Sequence, residues 1–408
     1  MDSYRFYLAA RVWYAVCWTT MITVSLVFMV EVAGLDPLQM VLVGTVLELS
    51  VFLFEVPTGV VADAVSRRLS VIIGHALLGA GFGAMVFWPV FPVILLCQVV
   101  WGFGWTFISG AYPAWLTSEV GVGRANEAFL RGAQLGHVGA FVGIGIAIAL
   151  AHVSLALPIV AGASGIVLLA VAMALFMRED HFEPAAGDER ASWGAMGRVL
   201  AAGVSEVRGH RLLLLMIAVT ATFGAFSEGV DRLFTPFLIE RFEFPPLGAL
   251  DTVAWWGVIA AVSSAAGLAA TTIARRRLDL GRQRRLTGVL AACLGGISVA
   301  VLLMASVPGF YAVLGCFWLV GALRSVYDPL MTAWLNRLLP ESSRATLFSL
   351  FGQSDAVGQV VGGPMLGYAA RAFGISTALA AAAVALLPAL PLYHRMSRVL
   401  EPDREGEG

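Results

Sequence analysis

The sequence predicts an all-α integral membrane protein in which twelve transmembrane helices form two pseudo-symmetric halves of six. Of its 408 residues, 59% are hydrophobic and only 13% are charged, and the mean hydropathy is +0.83. A soluble chain of this length would carry roughly twice as much charge. Two further observations, the apolar segments and an internal repeat, predict how the helices are arranged.

Twelve apolar segments are each long enough to cross a bilayer as a helix, which takes about 20 residues. No small-x-small cleavage site follows the first segment, so we expect it to be a retained helix rather than a signal peptide. The segments are 8–32, 38–61, 69–88, 91–114, 127–150, 155–177, 212–238, 249–273, 286–306, 309–333, 346–369 and 375–393.

The arginines predict how the segments are oriented. Most of them lie in the connections after even-numbered segments and at the two ends of the chain, whereas the odd-numbered connections hold only Arg241 and Arg371. Loops rich in positive charge stay on the cytoplasmic side. We therefore expect a multi-pass protein of the cell membrane with both termini in the cytoplasm.

The two halves of the chain repeat each other. Ala114-Trp115-Leu116 recurs 219 residues later as Ala333-Trp334-Leu335, and Arg124-Ala125 recurs 220 residues later as Arg344-Ala345. Internal repeats of this kind build secondary transporters, whose binding site lies near the membrane midplane between two halves that rock against each other.

One long polar connection divides the repeats. We predict an N-terminal half at 1–177, a cytoplasmic linker at 178–211, and a C-terminal half with a short tail at 212–408. Residues 193–207 of the linker could form an amphipathic helix on the inner membrane surface, although a plain linker is the simpler interpretation.

The second segment ends in a compact motif, Gly59-x-x-x-Asp63-x-x-x-Arg67-Arg68. A small residue lets helices approach, a carboxylate can sit at a neighbouring helix N-terminus, and arginines mark the cytoplasmic side. The motif resembles the signature loop between helices 2 and 3 of the major facilitator superfamily. The resemblance implies that fold, a monomer, and transport of a small molecule by alternating access.

The same resemblance implies a gating role for the motif. Asp63 and Arg67 should form a cytoplasmic contact, with Glu119 and the start of helix 11 as partners, that holds one conformation and breaks in the other. We assign Glu55 to this gating network as well, because it lies within about two helical turns of Asp63. Simple orientation of the chain by its arginines is the alternative for Arg68.

Carboxylates inside membrane segments are the candidates for proton coupling. A charge at the centre of a membrane helix costs at least ~2.5 kcal/mol, so it normally faces the bundle interior or a wet cavity. Glu48 and Glu55 are seven residues apart and share one helix face. Glu228 and Arg232 are one turn apart and can pair, which leaves Asp231 free or bridged elsewhere. The candidates are Glu48, Glu228, Asp231 and Asp355.

Polar and aromatic residues in the segments could line a substrate cavity. Packing and interfacial belts explain many such aromatics, and a single His137 on an apolar face is more often a hydrogen-bonded core residue. Drug/proton antiporters of the superfamily often carry an arginine in helix 4 where this chain has Gln98, and Arg324 in the tenth segment is a membrane arginine instead. The cavity candidates are Gln98, Trp101, Trp105, His137, Arg232, Trp256, Arg324 and Gln353.

Glycines recur at near-helical spacing in the fifth and eleventh segments, from Gly132 to Gly145 and from Gly358 to Gly367. The first run resembles the glycine motif of drug/proton antiporters but lacks its proline. Faces of small residues allow helices to pack closely or to slide, so close packing and a role in coupling are both open.

Three stretches resemble the macrolide and tetracycline efflux branch of the superfamily: residues 227–233, residues 344–346, and the Gly-Gln-x-x-Gly-Gly-Pro run that ends at Pro364. The resemblance implies a proton-coupled exporter of amphipathic or cationic drugs or antibiotics, driven by the proton gradient without a bound cofactor. A dedicated transporter of a metabolite, siderophore or nutrient is the alternative. Enzymes, metal sites and nucleic-acid binding are disfavoured, because no HExxH, GxSxG, Walker or clustered Cys/His pattern occurs.

Overall fold

The computed structural model describes residues 2–182, 209–247, 253–277, 283–338 and 344–400. Within these ranges the chain is α-helical apart from short connections, and the suggested amphipathic helix at 193–207 lies outside them. The helices are α1 (Ser3–Glu31), α2 (Pro37–Ala64), α3 (Arg67–Phe87), α4 (Phe91–Ser109), α5 (Ala111–Val120), α6 (Val122–Ala151), α7 (Ala156–Phe176), α8 (Arg211–Arg241), α9 (Ala254–Arg277), α10 (Gln283–Ser306), α11 (Phe310–Leu338), α12 (Arg344–Phe373), α13 (Ile375–Leu386) and α14 (Ala389–Leu400).

Eleven helical spans in the described residues are long and apolar enough to cross a membrane, counting α4 with α5 and α13 with α14 as one span each. The one predicted segment that is not among these eleven spans is 346–369, which corresponds to α12, a helix of 30 residues. It falls short in apolarity only, because its middle carries Gln353, Asp355, Gln359 and several glycines. The predicted all-α membrane architecture is confirmed.

The signature motif lies almost wholly within the ends of two helices rather than in a loop between them. α2 runs through Asp63 to Ala64, and α3 begins at Arg67, so only two residues separate the helices. The reason is a tight cap: Ser66 Oγ accepts a hydrogen bond from the Leu69 N–H at 2.9 Å and starts α3 at once.

Two predicted segments are each broken into a pair of helices. The fourth segment divides at Gly110 between α4 and α5, just before Pro113. The last segment divides at Leu387 and Pro388 between α13 and α14. Proline lacks an N–H and clashes with the preceding turn, which favours a break at these positions. It does not require one, since Pro57 and Pro236 lie inside unbroken helices.

The chain divides into two compact units. The first unit contains residues 1–192 and 244–260, and the second contains 193–243 and 261–408. The division at 192 falls inside the predicted linker, whereas the assignment of 244–260 to the first unit was not expected from the sequence.

The repeated tryptophans lie in the core of their units. Trp115 is buried, stacks on Tyr112, and donates from Nε1 to the Arg178 carbonyl at 2.6 Å. Trp334 is buried in the second unit, where its ring lies 6.1 Å from that of Tyr393. The sequence repeat therefore corresponds to equivalent core positions.

Glycines allow one helix pair in each unit to pack at backbone contact. In the first unit a Cβ at Gly143 of α6 would lie 2.6 Å from the Val16 carbonyl oxygen of α1. In the second unit, a Cβ at Gly358 of α12 would meet the Ala221 carbonyl of α8. The glycine runs thus serve close packing of α1 with α6 and of α8 with α12.

Candidate functional site

The signature residues join three helix ends in the first unit. Arg67 Nη2 lies 3.4 Å from Asp63 Oδ1, and Arg67 Nη1 donates to Ser118 Oγ of α5 at 2.6 Å. The Asp63 side chain is 60% exposed, so this ion pair contributes little stability by itself. A Cβ at Gly59 would meet no described atom within 4 Å, so packing does not explain that glycine.

Glu119 contacts the chain after α7 rather than the signature arginine. Its Oε1 accepts hydrogen bonds from the backbone N–H groups of Asp180 and His181, both at 2.9 Å, and its side chain is only 3% exposed. Backbone donors thus satisfy this carboxylate, and among the described contacts the expected pairing of Glu119 with Arg67 does not occur.

Glu179, which the sequence analysis did not single out, bonds to the residues that begin α3. One carboxylate oxygen accepts from Ser66 Oγ at 2.5 Å and the other from the Arg68 N–H at 2.8 Å. Arg68 also donates from Nη2 to the Ala174 carbonyl at 2.6 Å, so it does more than orient the chain. The acidic pair Glu179-Asp180 directly after a span was the available signal. We define the gate network as Asp63, Arg67, Arg68, Ser118, Glu119 and Glu179.

The two carboxylates of α2 differ in environment. Glu48 is half-buried, whereas Glu55 is exposed and is not held in the packed interior of its unit. Nearby, α4 packs closely on α2, since a Cβ at Gly102 would lie 2.7 Å from the Ser50 Cβ. Gln98 of α4 is buried, and its Oε1 has no hydrogen-bond partner among the described residues.

The predicted cavity residues of the first unit separate into packed and open positions. Trp101 is half-buried and packs against Trp18 and Phe82, with ring centroids 5.6 and 4.7 Å away. Trp105 is 40% exposed and lines a cavity. His137 is exposed and has no hydrogen bond in the described part of the chain, so it is not a core histidine.

The cavity beside Trp105 was not predicted as a whole. It encloses about 300 Å³ and contains an arginine, a buried histidine and several tyrosines. His75 had no distinguishing signal, because one polar residue in an apolar helix does not show which neighbours it faces. The lining residues are Tyr7, Ala10, Arg11, Tyr14, His75, Trp105, Ile108, Ser109, Tyr112, Pro113 and Phe129.

In the second unit, Asp231 of α8 and Arg324 of α11 form a two-pronged ion pair. Arg324 Nη1 donates to Asp231 Oδ1 at 2.6 Å, and Nη2 donates to Oδ2 at 3.0 Å. The Asp231 side chain is 48% exposed and that of Arg324 is 25% exposed. The sequence left Asp231 either free or bridged elsewhere. In the structure it is bridged, to an arginine 93 positions away in the chain.

Further charges surround this pair. Glu228 is 4% exposed and accepts from Arg232 Nε at 3.1 Å, as the one-turn spacing predicted. Asp328 of α11 is exposed and joins no ion pair in the described structure, although its charge acts on Arg324. We define the acidic cluster as Glu228, Asp231, Asp328 and Asp355, with Arg232 and Arg324 as its cations.

Asp355 completes the acidic cluster from α12. Its Oδ2 accepts from Gln359 Nε2 at 2.7 Å, and no arginine is hydrogen-bonded to it among the described residues. Its backbone lies against α8, where a Cβ at Gly224 would meet the Asp355 carbonyl oxygen. Gln353 is half-buried and lies two residues before Asp355 in the same helix.

Trp256 is buried, with its ring 5.5 Å from that of Phe244, so it packs within its unit rather than standing open to a cavity. Within the described ranges, no group of three His, Cys, Asp or Glu side chains could hold a metal ion.

The helical architecture and the signature motif are those of a known transporter family. The family model described as Major Facilitator Superfamily matches residues 7–298. The chain therefore belongs to the major facilitator superfamily, and the resemblance drawn from the signature motif is confirmed. The efflux branch stays a prediction.

The relatives are membrane transporters. An uncharacterized MFS-type transporter, YxaM, of Bacillus subtilis (strain 168) is 25% identical over 377 residues, which cover 90% of each chain. The nucleoside transporter NupG superposes with a TM-score of 0.75 at 14% identity, over 97% of this chain and 99% of that one. A bacterial homolog of the human lysosomal transporter Spinster, in an inward-facing and unoccupied conformation, superposes with a TM-score of 0.74 at 14% identity. The match covers 98% of this chain and 99% of that one. The last two show a shared fold alone.

Proposed function

We propose that this transporter couples proton movement to the export of amphipathic organic molecules across the cell membrane. The observation that carries the proposal is the charge balance of the acidic cluster. Four carboxylates share the site with two arginines. One ion pair lies within α8 and the other joins α8 to α11, both helices of membrane-spanning length. If every carboxylate were ionised, the cluster would carry an excess of two negative charges.

An excess of charge on membrane-spanning helices is costly to the extent that it is removed from bulk water. Binding protons removes the excess, so the cluster offers sites that fill and empty as the transporter changes its exposure. The arginines do not fill this role, since they stay protonated at any physiological pH.

Asp355 and Asp328 are the carriers that the geometry favours. Asp231 and Glu228 already face arginines, whose positive charges balance theirs. Asp355 accepts its hydrogen bond from the neutral Gln359 amide instead. Release or capture of a proton at Asp355 can then alter the Asp231–Arg324 pair, because the charges of all three act on one another.

Glu48 remains a candidate carrier in the first unit. It is half-buried on a membrane-spanning helix, whereas Glu55 on the same helix is exposed.

The gate network would hold one conformation. It joins α2, α3 and α5 to the chain that follows α7 through hydrogen bonds that are short and mostly charge-assisted. Such bonds are strong when made and can break as a group when the helix ends separate. With the arginine-rich connections in the cytoplasm, this network lies on the cytoplasmic side.

Transport in proteoliposomes tests the proposal. Ethidium, a macrolide and a tetracycline are each offered to the purified protein, with and without an imposed pH gradient. Gradient-driven movement of more than one compound supports a proton-coupled multidrug exporter. Uptake that is the same with and without the gradient for every compound moved would contradict proton coupling.

A dedicated metabolite transporter is a second candidate, and the cavity of the first unit favours it. That cavity contains Arg11, whose Nε has no hydrogen-bond partner in the described structure. A cationic drug gains nothing from such an arginine, whereas a metabolite with an acidic group does. Movement of none of the three drugs by folded protein would support this candidate, and a screen of organic acids would follow.

A further inference from the structure

We propose that the 300 Å³ cavity of the first unit binds an anionic group of the cargo, a carboxylate or a phosphate, through Arg11 and Tyr112. The inference rests on the proposed transport function and deepens it, since it names a chemical feature of the molecule transported. It concerns the first unit alone, whereas proton coupling is assigned chiefly to the second.

Arg11 lies inside a membrane helix, and among the described residues it joins no ion pair. It is eight residues past the start of α1, about 12 Å along the helix axis. Its Nε is buried without a hydrogen-bond partner in that part of the chain. Its guanidinium lies 5.9 Å from the centre of the Tyr14 ring. A permanent cation in this position is stabilised by an anion that enters the cavity.

Tyr112 supplies a second unused donor. Its side chain is 7% exposed and lines the cavity, and its hydroxyl has no hydrogen-bond partner among the described residues. A buried hydroxyl without a partner is rare, since most are paired with protein or water. An O–H donor and a guanidinium that line the same cavity can together bind the oxygens of a carboxylate or of a phosphate.

The lining of the cavity is suited to an anion. None of its lining residues in the described structure is Asp or Glu. His75 is buried against Tyr14 and Tyr112, with ring centroids 5.6 and 6.0 Å away, and its Nδ1 lies 2.8 Å from the Val71 carbonyl. That ring nitrogen is therefore the donor to a carbonyl, which fixes the orientation of the imidazole within the cavity wall.

A row of aromatic side chains in mutual contact extends from the Tyr14 side of the cavity. The Tyr14 ring stacks on Trp18 at 5.8 Å, and Trp18 contacts Trp101 at 5.6 Å. Trp105 lies at the cavity itself and is 40% exposed. A volume of about 300 Å³ is at the small end for ligand sites. A compact aromatic or apolar body with one acidic group fits this combination.

Calorimetric titration of the purified full-length protein in detergent tests the inference. Phenylacetate is the probe, and phenylacetamide is its neutral match in shape. We expect saturable binding of phenylacetate that is lost in Arg11→Gln and kept in Arg131→Gln, an exposed arginine of α6 that pairs with Glu127. Tyr112→Phe should weaken binding by about 10- to 100-fold, the factor typical of one hydrogen bond to a charged group.

Three results would overturn the inference. Phenylacetate and its amide could bind equally, Arg11→Gln could bind as the parent does, or folded protein with an intact melting transition could bind neither probe. A parallel titration with dihexanoyl phosphatidylglycerol separates the two sources of an anion. Binding of this lipid but not of phenylacetate would assign the cavity to a lipid headgroup rather than to cargo. No proton gradient is used, so failure here and failure of proton coupling are distinct.

Discussion

Asp231 and Arg324 hold opposite charges in hydrogen-bond contact at the centre of the acidic cluster, on two different helices. Removing one partner of such a pair leaves the other charge uncompensated in a low-dielectric setting, which costs more than removing both. The partial exposure of both side chains reduces this cost but does not change its sign.

We expect Arg324→Gln, which leaves the Asp231 charge uncompensated, to lower the melting temperature of the purified protein more than the double variant Asp231→Asn, Arg324→Gln does. Differential scanning fluorimetry in detergent measures both. Glu240→Gln, an exposed carboxylate on the same helix, is the control and should melt like the parent. A double variant that melts lower than Arg324→Gln would contradict the pairing argument.

Sequence spacing predicted the pairs that form within one helix turn and none of the distant ones. Glu228–Arg232 and Asp63–Arg67 are four residues apart, so helix geometry alone brings them together. Asp231–Arg324 and Glu179–Ser66 join residues from different parts of the chain, and only the folded structure shows which of these parts are neighbours.

At the scale of the element, the packing of α8 against α12 depends on glycines whose positions can be compared within one helix. Gly358 of α12 faces the Ala221 carbonyl, whereas a Cβ at Gly352 would meet no described atom within 4 Å. Replacing each glycine by alanine therefore distinguishes the effect of helix packing, at Gly358, from the effect of helix propensity, at Gly352.

Gly358→Ala should destabilise the protein by about 1–3 kcal/mol, because the added methyl group forces the two backbones apart. Gly352→Ala should cause no loss, since alanine is the better helix former. Thermal or denaturant unfolding in detergent compares the variants. The pair Gly143→Ala and Gly145→Ala repeats the test in the first unit. Equal effects of both members of a pair would contradict the close approach.

Glu179 connects the chain after α7 to the start of α3. Glu179→Ala should increase hydrogen exchange of the peptide that contains Ser66 and Arg68, because it removes the acceptor of the Arg68 N–H. Asp180→Ala is the matched control, since the Asp180 side chain is exposed and its backbone N–H contact with Glu119 is kept. Unchanged exchange in Glu179→Ala would remove Glu179 from the gate network.

The lengths of the apolar segments predicted which parts of the chain are helical, but they did not predict where the helices end. Segment lengths alone could not show that α2 continues through Asp63, because that depends on where Ser66 caps the next helix. The break at Gly110 could have been predicted from Pro113, a signal that the apolar pattern concealed.

At the scale of the whole molecule, the arginine distribution predicts which loops face the cytoplasm. In a background without the four native cysteines, a cysteine at Gly309 should react with an impermeant maleimide in intact cells. A cysteine at Arg276 should react only after the cells are opened. The reverse pattern would contradict the predicted orientation.

Composition, spans, repeat and signature motif were enough to predict the superfamily and its helical architecture. They were not enough to find the cavity around Arg11, because its walls come from five helices whose contacts have no local sequence signal. His75 was missed for this reason, and His137, which was considered instead, is exposed. The glycine runs lie on two helices that pack closely, α6 and α12, but the sequence did not show which helices they pack against.

Proton coupling through the acidic cluster is the central claim, and transport by variants of Asp355 and Asp328 tests it most directly. In proteoliposomes that carry a pH gradient, Asp355→Asn should abolish gradient-driven transport of a cargo that the parent protein moves, and Asp328→Asn should reduce it. Counterflow exchange of the same cargo should persist in both variants, since exchange needs no net proton movement. Full gradient-driven transport by the double variant Asp328→Asn, Asp355→Asn would contradict the claim.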